Sequence, residues 1–172
     1  MSLTVTKENI VDLDVDIIVN AARQSLLGGS GVDGAIHKKA GPELLEECRK
    51  LNGCKTGEAK MTNGYNCKAK KIIHTVGPIY VGGKNNEASL LSSCYQNCLL
   101  LAEDYRRKNN LEKVSIAFPC ISTGIYHYPK EEAAKIAIGT VEKYLPKNIN
   151  VIFSCFTEKD YELYLENLRK KD

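Results

Sequence analysis

The stretch "IVNAARQSLLGGSGVDGAIH", residues 18–37, contains the features that decide the fold of this 172-residue chain. It starts at the end of an apolar, strand-like segment, crosses a cluster of glycines and continues into a segment with helical periodicity. A glycine-rich connection from a strand to a helix is typical of loops that turn backbone N–H groups toward an anion. Asp33 lies inside this loop, and a carboxylate does not fit simple phosphate binding.

Residues 29–34, GSGVDG, match the G-x-G-x-x-G pattern of dinucleotide-binding proteins letter for letter. In that pattern the first glycine directly follows the strand, and an acidic residue follows roughly 20 positions beyond the motif. Here the strand is predicted to end near Asn20, nine positions before Gly29, and the downstream segment RKLNGCKTG offers no strand ending in Asp or Glu. The sequence therefore does not indicate a dinucleotide fingerprint.

Two interpretations of the glycine loop remain open from this stretch alone. In the first, the glycines bring the backbone close to an anionic ligand, and a helix beginning near Asp33 adds its positive end. In the second, the glycines form a flexible turn and Asp33 is an ordinary N-cap residue. The loop itself does not decide between them.

Apolar strand-like segments and helical patterns alternate along the rest of the chain. The segments predicted as strands are 3–10, 15–20, 59–65, 69–77, 113–121 and 150–156. The segments predicted as helices are 33–51, interrupted at Gly41–Pro42, then 87–108, 130–145 and 158–171. This alternation predicts one α/β domain over residues 1–172, with helices on both faces of a largely parallel sheet.

A second unusual loop follows the predicted strand 113–121. Ligands of such sheets bind beyond the carboxyl ends of the strands, where residues 20–34 and 119–129 both lie. The second loop carries hydroxyl groups and a glycine in consecutive positions: Ser122, Thr123, Gly124, Ile125 and Tyr126. Such a run makes another cradle for an anion. Two cradles in one small domain predict a diphosphate clamped between them.

Composition excludes several classes of protein. Hydrophobic residues make up 43% and charged residues 26% of the chain, and the net charge of +3 is too small and too interleaved for a nucleic-acid surface. The longest apolar stretches are too short to span a bilayer, and the first residues lack the pattern of a signal peptide. We therefore expect a soluble, cytoplasmic protein with no membrane or direct nucleic-acid partner.

The cysteines and histidines have no spacing that predicts a metal site or a disulfide framework. An odd number of cysteines without a leader predicts reduced thiols. His37 and His74 are expected to be packed or surface residues, and Cys120 is expected to be a core residue of its strand. The seven cysteines are Cys48, Cys54, Cys67, Cys94, Cys98, Cys120 and Cys155.

Four segments together are similar to the macro domain, specifically its MacroD-like hydrolase branch, which includes bacterial O-acetyl-ADP-ribose deacetylases. The resemblance covers about residues 4–168 and implies a three-layer α/β/α sandwich with a mixed, largely parallel sheet. It also implies binding of ADP-ribose, action on ADP-ribosylated proteins or on O-acetyl-ADP-ribose, and no cofactor. The segments are VDIIVNAARQSLLGGSGVDGAIHKKAGPELLEEC, GCKTGEAKMTNGY, IIHTVGPIY and FPCISTGIYHYP.

The resemblance assigns roles to individual residues of this chain. Asp33 falls at the position of the proposed proton acceptor, in a catalytic loop formed with Gly31 and Val32. Asn20 matches the first asparagine of the family's N-A-A-N motif. The remaining implied ligand-binding residues are Asn9 and Ile10 near adenine, Ser122, Thr123, Gly124, Ile125 and Tyr126 around the diphosphate, and Phe156 stacking near adenine.

Three residues depart from the family's pattern. Arg23 replaces the second asparagine of N-A-A-N, which contacts the distal ribose, and this arginine is expected either to grip the diphosphate or to pair with Asp33. Asn9 replaces an aspartate, so that a charge-assisted bond to adenine becomes a neutral one, about 1 kcal/mol weaker. His127 replaces a common glycine. Two functions follow: an Asp33-dependent hydrolase, which we favour, or a non-catalytic ADP-ribose reader impaired by Arg23.

Overall fold

Six strands form one sheet in the computed structural model, which describes residues 2–169. Their order across the sheet is β1-β6-β5-β2-β4-β3. Every neighbouring pair is parallel except β3–β4, which is antiparallel and joined by the short segment 64–70. The strands are β1 (Ser2–Thr6), β2 (Ile17–Ala21), β3 (Ala59–Asn63), β4 (Lys71–Thr75), β5 (Val114–Phe118) and β6 (Ile149–Ser154). The predicted mixed, largely parallel sheet is confirmed.

Five α-helices flank the described part of the sheet. The predicted interruption at Gly41–Pro42 separates two helices, because Gly41 has a φ of +91° and Pro42 occupies the first helical position of the second helix. The helices are α1 (Gly31–Ala40), α2 (Pro42–Lys50), α3 (Glu87–Lys108), α4 (Lys130–Tyr144) and α5 (Glu158–Arg169). Residues 170 and 171, the end of the predicted closing helix, lie outside the described residues.

Each face of the sheet has its own apolar core, and strand β2 contributes side chains to both cores. Ile17 and Val19 pack with helices α3, α4 and α5, whereas Ile18 points to the opposite face and packs with α1 and α2. This is the two-residue alternation of side chains along a strand. The predicted α/β/α sandwich is therefore confirmed, and β2 is buried on both faces.

Every predicted strand extends beyond the observed strand at one or both ends, and two of these differences affect the site. The strand predicted at 3–10 ends at Thr6, whose hydroxyl accepts from the Glu8 backbone N–H at 3.2 Å and turns the chain into a 3-10 helix at Ile10–Asp12. The strand predicted at 113–121 ends at Phe118, because Pro119 has no N–H to donate to the ladder. Cys120 therefore leaves the sheet.

The carboxyl ends of β2, β5 and β6 and the N-terminus of α1 meet at one edge of the sheet. This is the edge at which α/β sheets bind ligands, and both unusual loops lie here. Within residues 2–169, no helix combines the length and the apolar character needed to cross a membrane.

Candidate functional site

Two adjoining cavities form a cleft at this edge of the sheet. The first, of about 210 Å³, contains Asp33 in its wall and is called the Asp33 cavity. The second, of about 290 Å³, contains Phe156 and is called the Phe156 cavity. Four residues line both cavities, and they form the junction of the cleft: Gly31, Val32, Cys120 and Gly124.

The cleft brings together the residues singled out from the sequence, with one exception. Those lining the Asp33 cavity are Arg23, Gly31, Val32, Asp33, Ser122, Gly124, Ile125 and Tyr126. Those lining the Phe156 cavity are Asn9, Ile10, Gly31, Val32, Thr123, Gly124 and Phe156. The exception is Asn20, which is fully buried at the end of β2 and contacts Asp33 from behind.

Helix α1 begins two residues earlier than expected and places Asp33 in its first turn. Ser30 is the N-cap residue, in an extended conformation, and Asp33 is the third helical residue. The hypothesis that Asp33 is an N-cap residue is therefore wrong. Gly31 has a φ of +60°, which favours glycine. A Cβ atom at Gly29 would lie 2.8 Å from Asp33 Oδ2, so the loop needs glycine there for the carboxylate to fit.

The Asp33 carboxylate is held on one side only. Asp33 is only 4% exposed, and its Oδ1 accepts a hydrogen bond from Asn20 Nδ2 at 2.8 Å. Oδ2 has no hydrogen-bond partner among the described residues. A buried carboxylate oxygen without a partner is costly, and here it belongs to a residue in the wall of a cavity.

Behind Asn20, a chain of buried hydrogen bonds fixes the orientation of its amide. Asn20 Nδ2 also lies 3.1 Å from His74 Nδ1, and His74 Nε2 lies 2.9 Å from the Thr62 hydroxyl. Burial, followed by the influence of His37, lowers the pKa of His74 to about 3. The ring is therefore neutral at neutral pH.

The direction of each bond in this chain follows from the chemistry of its members. A carboxylate only accepts, so the Asn20 amide nitrogen faces Asp33 and also donates to His74 Nδ1. The neutral ring then carries its proton on Nε2 and donates it to Thr62, whose hydroxyl donates to the Asn63 carbonyl at 3.2 Å. Each hydrogen that these groups donate has one acceptor, and the Asp33 carboxylate is held in one orientation.

His37 is the nearest additional ionisable side chain, and the sequence analysis did not select it. It lies one turn after Asp33 on α1, with Nε2 at 3.5 Å from Asp33 Oδ1. This nitrogen is buried and has no hydrogen-bond partner among the described residues. The spacing of four residues along a predicted helix is the sequence pattern that indicates this proximity.

Arg23 lies beside Asp33 without pairing with it. The Arg23 side chain is exposed, and its Nε would lie 2.9 Å from a Cβ atom at Gly29. In the described part of the chain, the Asp33 carboxylate has the His37 ring nitrogen within 4.0 Å but no nitrogen of Arg23. The expected alternative of an Arg23–Asp33 ion pair is therefore not realised.

The second loop is a compact turn that faces α1 across the cleft. Ser122 and His127 have left-handed φ values of +68° and +57°, so His127 adopts the conformation that glycine favours. The backbone of Tyr128 donates to the Ser122 carbonyl at 2.9 Å, and Tyr80 N–H donates to the Tyr126 carbonyl at 2.9 Å. Ser122 Oγ is buried beside Gly77 and has no hydrogen-bond partner among the described residues.

The Phe156 cavity has a different wall. Phe156 is 79% exposed, and Asn9 Oδ1 accepts from the Val11 N–H at 3.3 Å as the cap of the 3-10 helix. The buried Asp160 accepts from the Thr157 hydroxyl at 2.9 Å and lies 3.5 Å from Lys130 Nζ. Neither Asp160 nor Lys130 is predicted from the sequence, because only folding brings α4 and α5 together.

Cys120 also lies in a different place from the one expected. It was expected to be a core residue of a strand, but β5 ends two residues before it and its side chain is half-buried in the walls of both cavities. Among residues 2–169, no group of three or more His, Cys, Asp or Glu side chains is placed to hold a metal ion.

Comparison with known proteins agrees with this geometry. Residues 19–137 match the Macro domain family. A macro domain-containing protein of Chlorobaculum tepidum is 54% identical over 165 residues, which covers 94% of this chain and 92% of that protein. ADP-ribose glycohydrolase MACROD2 of Mus musculus is 52% identical over 169 residues, which covers 94% of this chain and 34% of the longer mouse protein.

Solved structures extend the similarity to the fold. A macrodomain of Oceanobacillus iheyensis with ADP has a TM-score of 0.89 at 41% identity, covering 97% of this chain and 90% of that one. A macrodomain of Trypanosoma brucei in complex with ADP-ribose has a TM-score of 0.85 at 41% identity, covering 96% of this chain and 68% of that one. The resemblance of the sequence is confirmed: the chain belongs to the macro domain family and has relatives in its MacroD-like branch.

Proposed function

We propose that this protein binds ADP-ribose along the cleft and hydrolyses an ester bond at its distal ribose. The substrates are proteins carrying ADP-ribose on acidic side chains, O-acetyl-ADP-ribose, or both. One observation carries the proposal: two buried polar atoms without partners, Asp33 Oδ2 and Ser122 Oγ, belong to residues lining the same cavity. The similarity to ADP-ribose glycohydrolase MACROD2 supports the reaction class.

The charge of the ligand sets its orientation in the cleft. A diphosphate is favoured at the junction of the cavities, where it meets the positive end of α1 and the backbone of the second loop. A position beside Asp33 would oppose like charges. The adenine ring then extends into the Phe156 cavity, where the exposed Phe156 ring offers a stacking surface, and the distal ribose extends into the Asp33 cavity.

Asp33 is placed to activate water at the distal ribose. Asn20 holds Oδ1, and the buried Oδ2 has no partner among the described residues. We propose that Oδ2 accepts a hydrogen bond from a water molecule that is bound together with the ligand. The water oxygen attacks the ester carbonyl as its proton moves toward Asp33, and the bond to the ribose oxygen then breaks. That oxygen takes the proton back from Asp33, which restores the carboxylate, and the acid is released. General-base assistance of this kind contributes roughly 10²- to 10⁴-fold to a rate.

The alternative function is a reader that binds ADP-ribose without turnover. It follows from Arg23, which lines the Asp33 cavity where the family pattern has an asparagine. In that case the arginine contacts the bound ligand, and the distal ribose lacks the amide that orients it for attack. Both functions share the same cleft and the same ligand, so that only turnover separates them.

A turnover assay distinguishes the two functions. The native protein, Asp33→Ala and Arg23→Asn are incubated with a protein mono-ADP-ribosylated on acidic side chains, and separately with O-acetyl-ADP-ribose. A hydrolase releases product, and Asp33→Ala loses at least 100-fold in rate while the exposed control Asp14→Ala does not. No release by the native protein, with release by Arg23→Asn, identifies a reader instead.

A further inference from the structure

Two cysteines lie in contact where β5 and β6 end. The register of these parallel strands pairs Phe118 with Phe153, and Cys120 and Cys155 each follow by two residues. Their Sγ atoms are 3.7 Å apart. A disulfide bond requires about 2.05 Å between the sulfur atoms, so closure needs the two side chains to approach by a further ~1.7 Å.

The two thiols differ in their access to small molecules. Cys120 is half-buried and lines both cavities, so that it borders the space that small solutes enter. Cys155 is fully buried, and its backbone N–H donates to the Thr6 carbonyl at 2.8 Å. The contact with Cys120, together with burial, holds the pKa of the Cys155 thiol well above its usual range.

We propose that Cys120 and Cys155 form a reversible oxidation site in the wall of the cleft, with a hydroperoxide as the oxidant. Cys120 is the thiol attacked, and Cys155 is the resolving thiol that closes the disulfide. This assigns a modification site to a pair of residues for which the hydrolytic reaction has no use. The arrangement of an accessible thiol beside a resolving one is the general form of a thiol redox site.

The chemistry balances with the peroxide as the only co-reactant. The Cys120 sulfur attacks the O–O bond, gains one oxygen as a sulfenic acid and is oxidised by two electrons, while the peroxide is reduced to water or an alcohol. The Cys155 sulfur then attacks the Cys120 sulfur, the S–S bond forms, and the hydroxyl group leaves as water with the Cys155 proton. A dithiol reductant restores both thiols.

Other cysteines lack one of the two requirements. Cys94 and Cys98 lie one turn apart on α3, but both are fully buried and neither lines the cleft. Cys48, in α2, is fully buried beside His74. Of the seven cysteines, all of which are in the described residues, only Cys120 is more than marginally exposed.

The disulfide also changes the shape of the cleft. The Cys120 carbonyl accepts from the Thr123 hydroxyl at 3.1 Å, so that the position of Cys120 is coupled to the second loop. Drawing its sulfur toward β6 moves the wall shared by the two cavities. If ADP-ribose lies along that wall, as the proposed function holds, oxidation weakens its binding, and bound ADP-ribose shifts the thiol–disulfide equilibrium toward the thiols by the same factor.

Peptide mapping tests the oxidation site without any ligand. The reduced native protein is treated with hydrogen peroxide, free thiols are blocked with N-ethylmaleimide, and tryptic peptides are identified by mass spectrometry. Cleavage after lysine places Cys120 in peptide 114–130 and Cys155 in peptide 148–159, with no other cysteine in either. We expect these two peptides to become linked first, and dithiothreitol to separate them.

Variants make the assignment of roles specific. Cys155→Ala is expected to accumulate a sulfenic acid at Cys120 that dimedone traps, whereas Cys120→Ala leaves Cys155 as a free thiol. Cys67→Ala, remote from the pair in sequence and in the other core, serves as the control and forms the link normally. A native Cys120 that stays reduced, that links to a different cysteine, or that becomes a sulfinic acid beside a free Cys155 overturns the proposal.

A parallel arm with ADP-ribose separates this inference from the proposed function. Saturating ADP-ribose is expected to slow formation of the disulfide at least tenfold, because the ligand covers Cys120. If the disulfide forms at the same rate with and without ADP-ribose, the oxidation site stands and the proposed position of the ligand fails. If protection is seen without linkage to Cys155, the ligand position stands and the oxidation site fails.

Discussion

The two cavities of the cleft are built in opposite ways. In the Asp33 cavity the Asp33 carboxylate is buried, and hydrogen bonds fix it through Asn20, His74 and Thr62. In the Phe156 cavity the aromatic ring is largely exposed, and the Asn9 side chain also serves as a local helix cap. The carboxylate of the first cavity is buried and hydrogen-bonded, whereas the ring of the second is exposed to solvent.

This difference matches two different tasks. Chemistry requires a group held in one orientation, since a misplaced base loses its effect. Recognition of a flat ring requires only a surface to stack on and a few polar partners. We therefore expect changes at Asp33 to affect turnover, and changes at Phe156 or Asn9 to affect affinity.

The largest expected effect is that of Asp33→Asn on turnover. The amide removes the proton acceptor but keeps nearly the same shape, so kcat is expected to fall about 10²- to 10⁴-fold while the Kd for ADP-ribose stays within about threefold. Asp14→Asn, an exposed position, is the matched control. Calorimetry measures Kd and a rate assay measures kcat. An equal loss of kcat and of affinity would contradict the assignment of turnover to one cavity and binding to the other.

The buried hydrogen-bond chain predicts a pH-dependent stability. The pKa of His74 is about 3 in the folded protein and about 6.5 in an unfolded chain. Between these values the unfolded state binds the proton and the folded state does not, so the contribution to stability is complete above pH 6.5 and is lost as the pH falls. From pH 6.5 to 5 this loss is about 2 kcal/mol.

The variant His74→Gln removes the titrating group and keeps a donor and an acceptor. Urea unfolding at pH 7.5 and 5 is expected to show a smaller loss of stability in this variant than in the native protein. His127→Gln is the control, because His127 is exposed and keeps the native pH dependence. An unchanged loss in His74→Gln would show that the ring is not held neutral.

Phe156→Ala is expected to weaken ADP-ribose binding by about tenfold, because stacking of a base on an aromatic ring contributes roughly 1–3 kcal/mol. The exposed ring makes little contribution to the core, so stability is expected to stay constant. Tyr144→Ala, an exposed aromatic residue on α4, is the control. A loss of kcat without a loss of affinity would contradict this, because it would place the distal ribose, and not adenine, in the Phe156 cavity.

The smallest expected effect is a gain in affinity for ADP-ribose. Asn9→Asp keeps the oxygen that caps the 3-10 helix and restores a charged acceptor, so that ADP-ribose binds about fivefold more tightly. Asn110→Asp adds the same charge at an exposed position remote from the cleft and is expected to have no effect. Competition binding checks both variants, and weaker binding by Asn9→Asp would show that Asn9 does not face adenine.

The sequence predicted the helices and strands of this fold better than it predicted which of them lie side by side. The 3.6-residue pattern of α3 predicted its bounds, 87–108, because the helix has one continuous apolar face. The glycine loop and the second loop were both predicted to lie beyond strand ends, and they line one cleft. These features could be predicted because they depend only on residues that are close together in the sequence.

The contacts behind Asp33 were not predicted, because they depend on strand order. Asn20 and His74 are 54 residues apart and meet only because β2 pairs with β4 in the register that sets them side by side. Nothing in the local sequence specifies that β4 lies beside β2, so His74 was interpreted as an ordinary packed residue. The Cys120–Cys155 contact was missed for the same reason.

The most direct test of the account is a crystal structure of the protein soaked with ADP-ribose. We expect the adenine ring to lie against Phe156, the diphosphate to lie at the junction formed by Gly31 and Gly124, and the distal ribose to lie in the Asp33 cavity. A water molecule bridging Asp33 Oδ2 and that ribose is the expected detail. The reversed orientation, or ADP-ribose bound outside the cleft, would contradict the account.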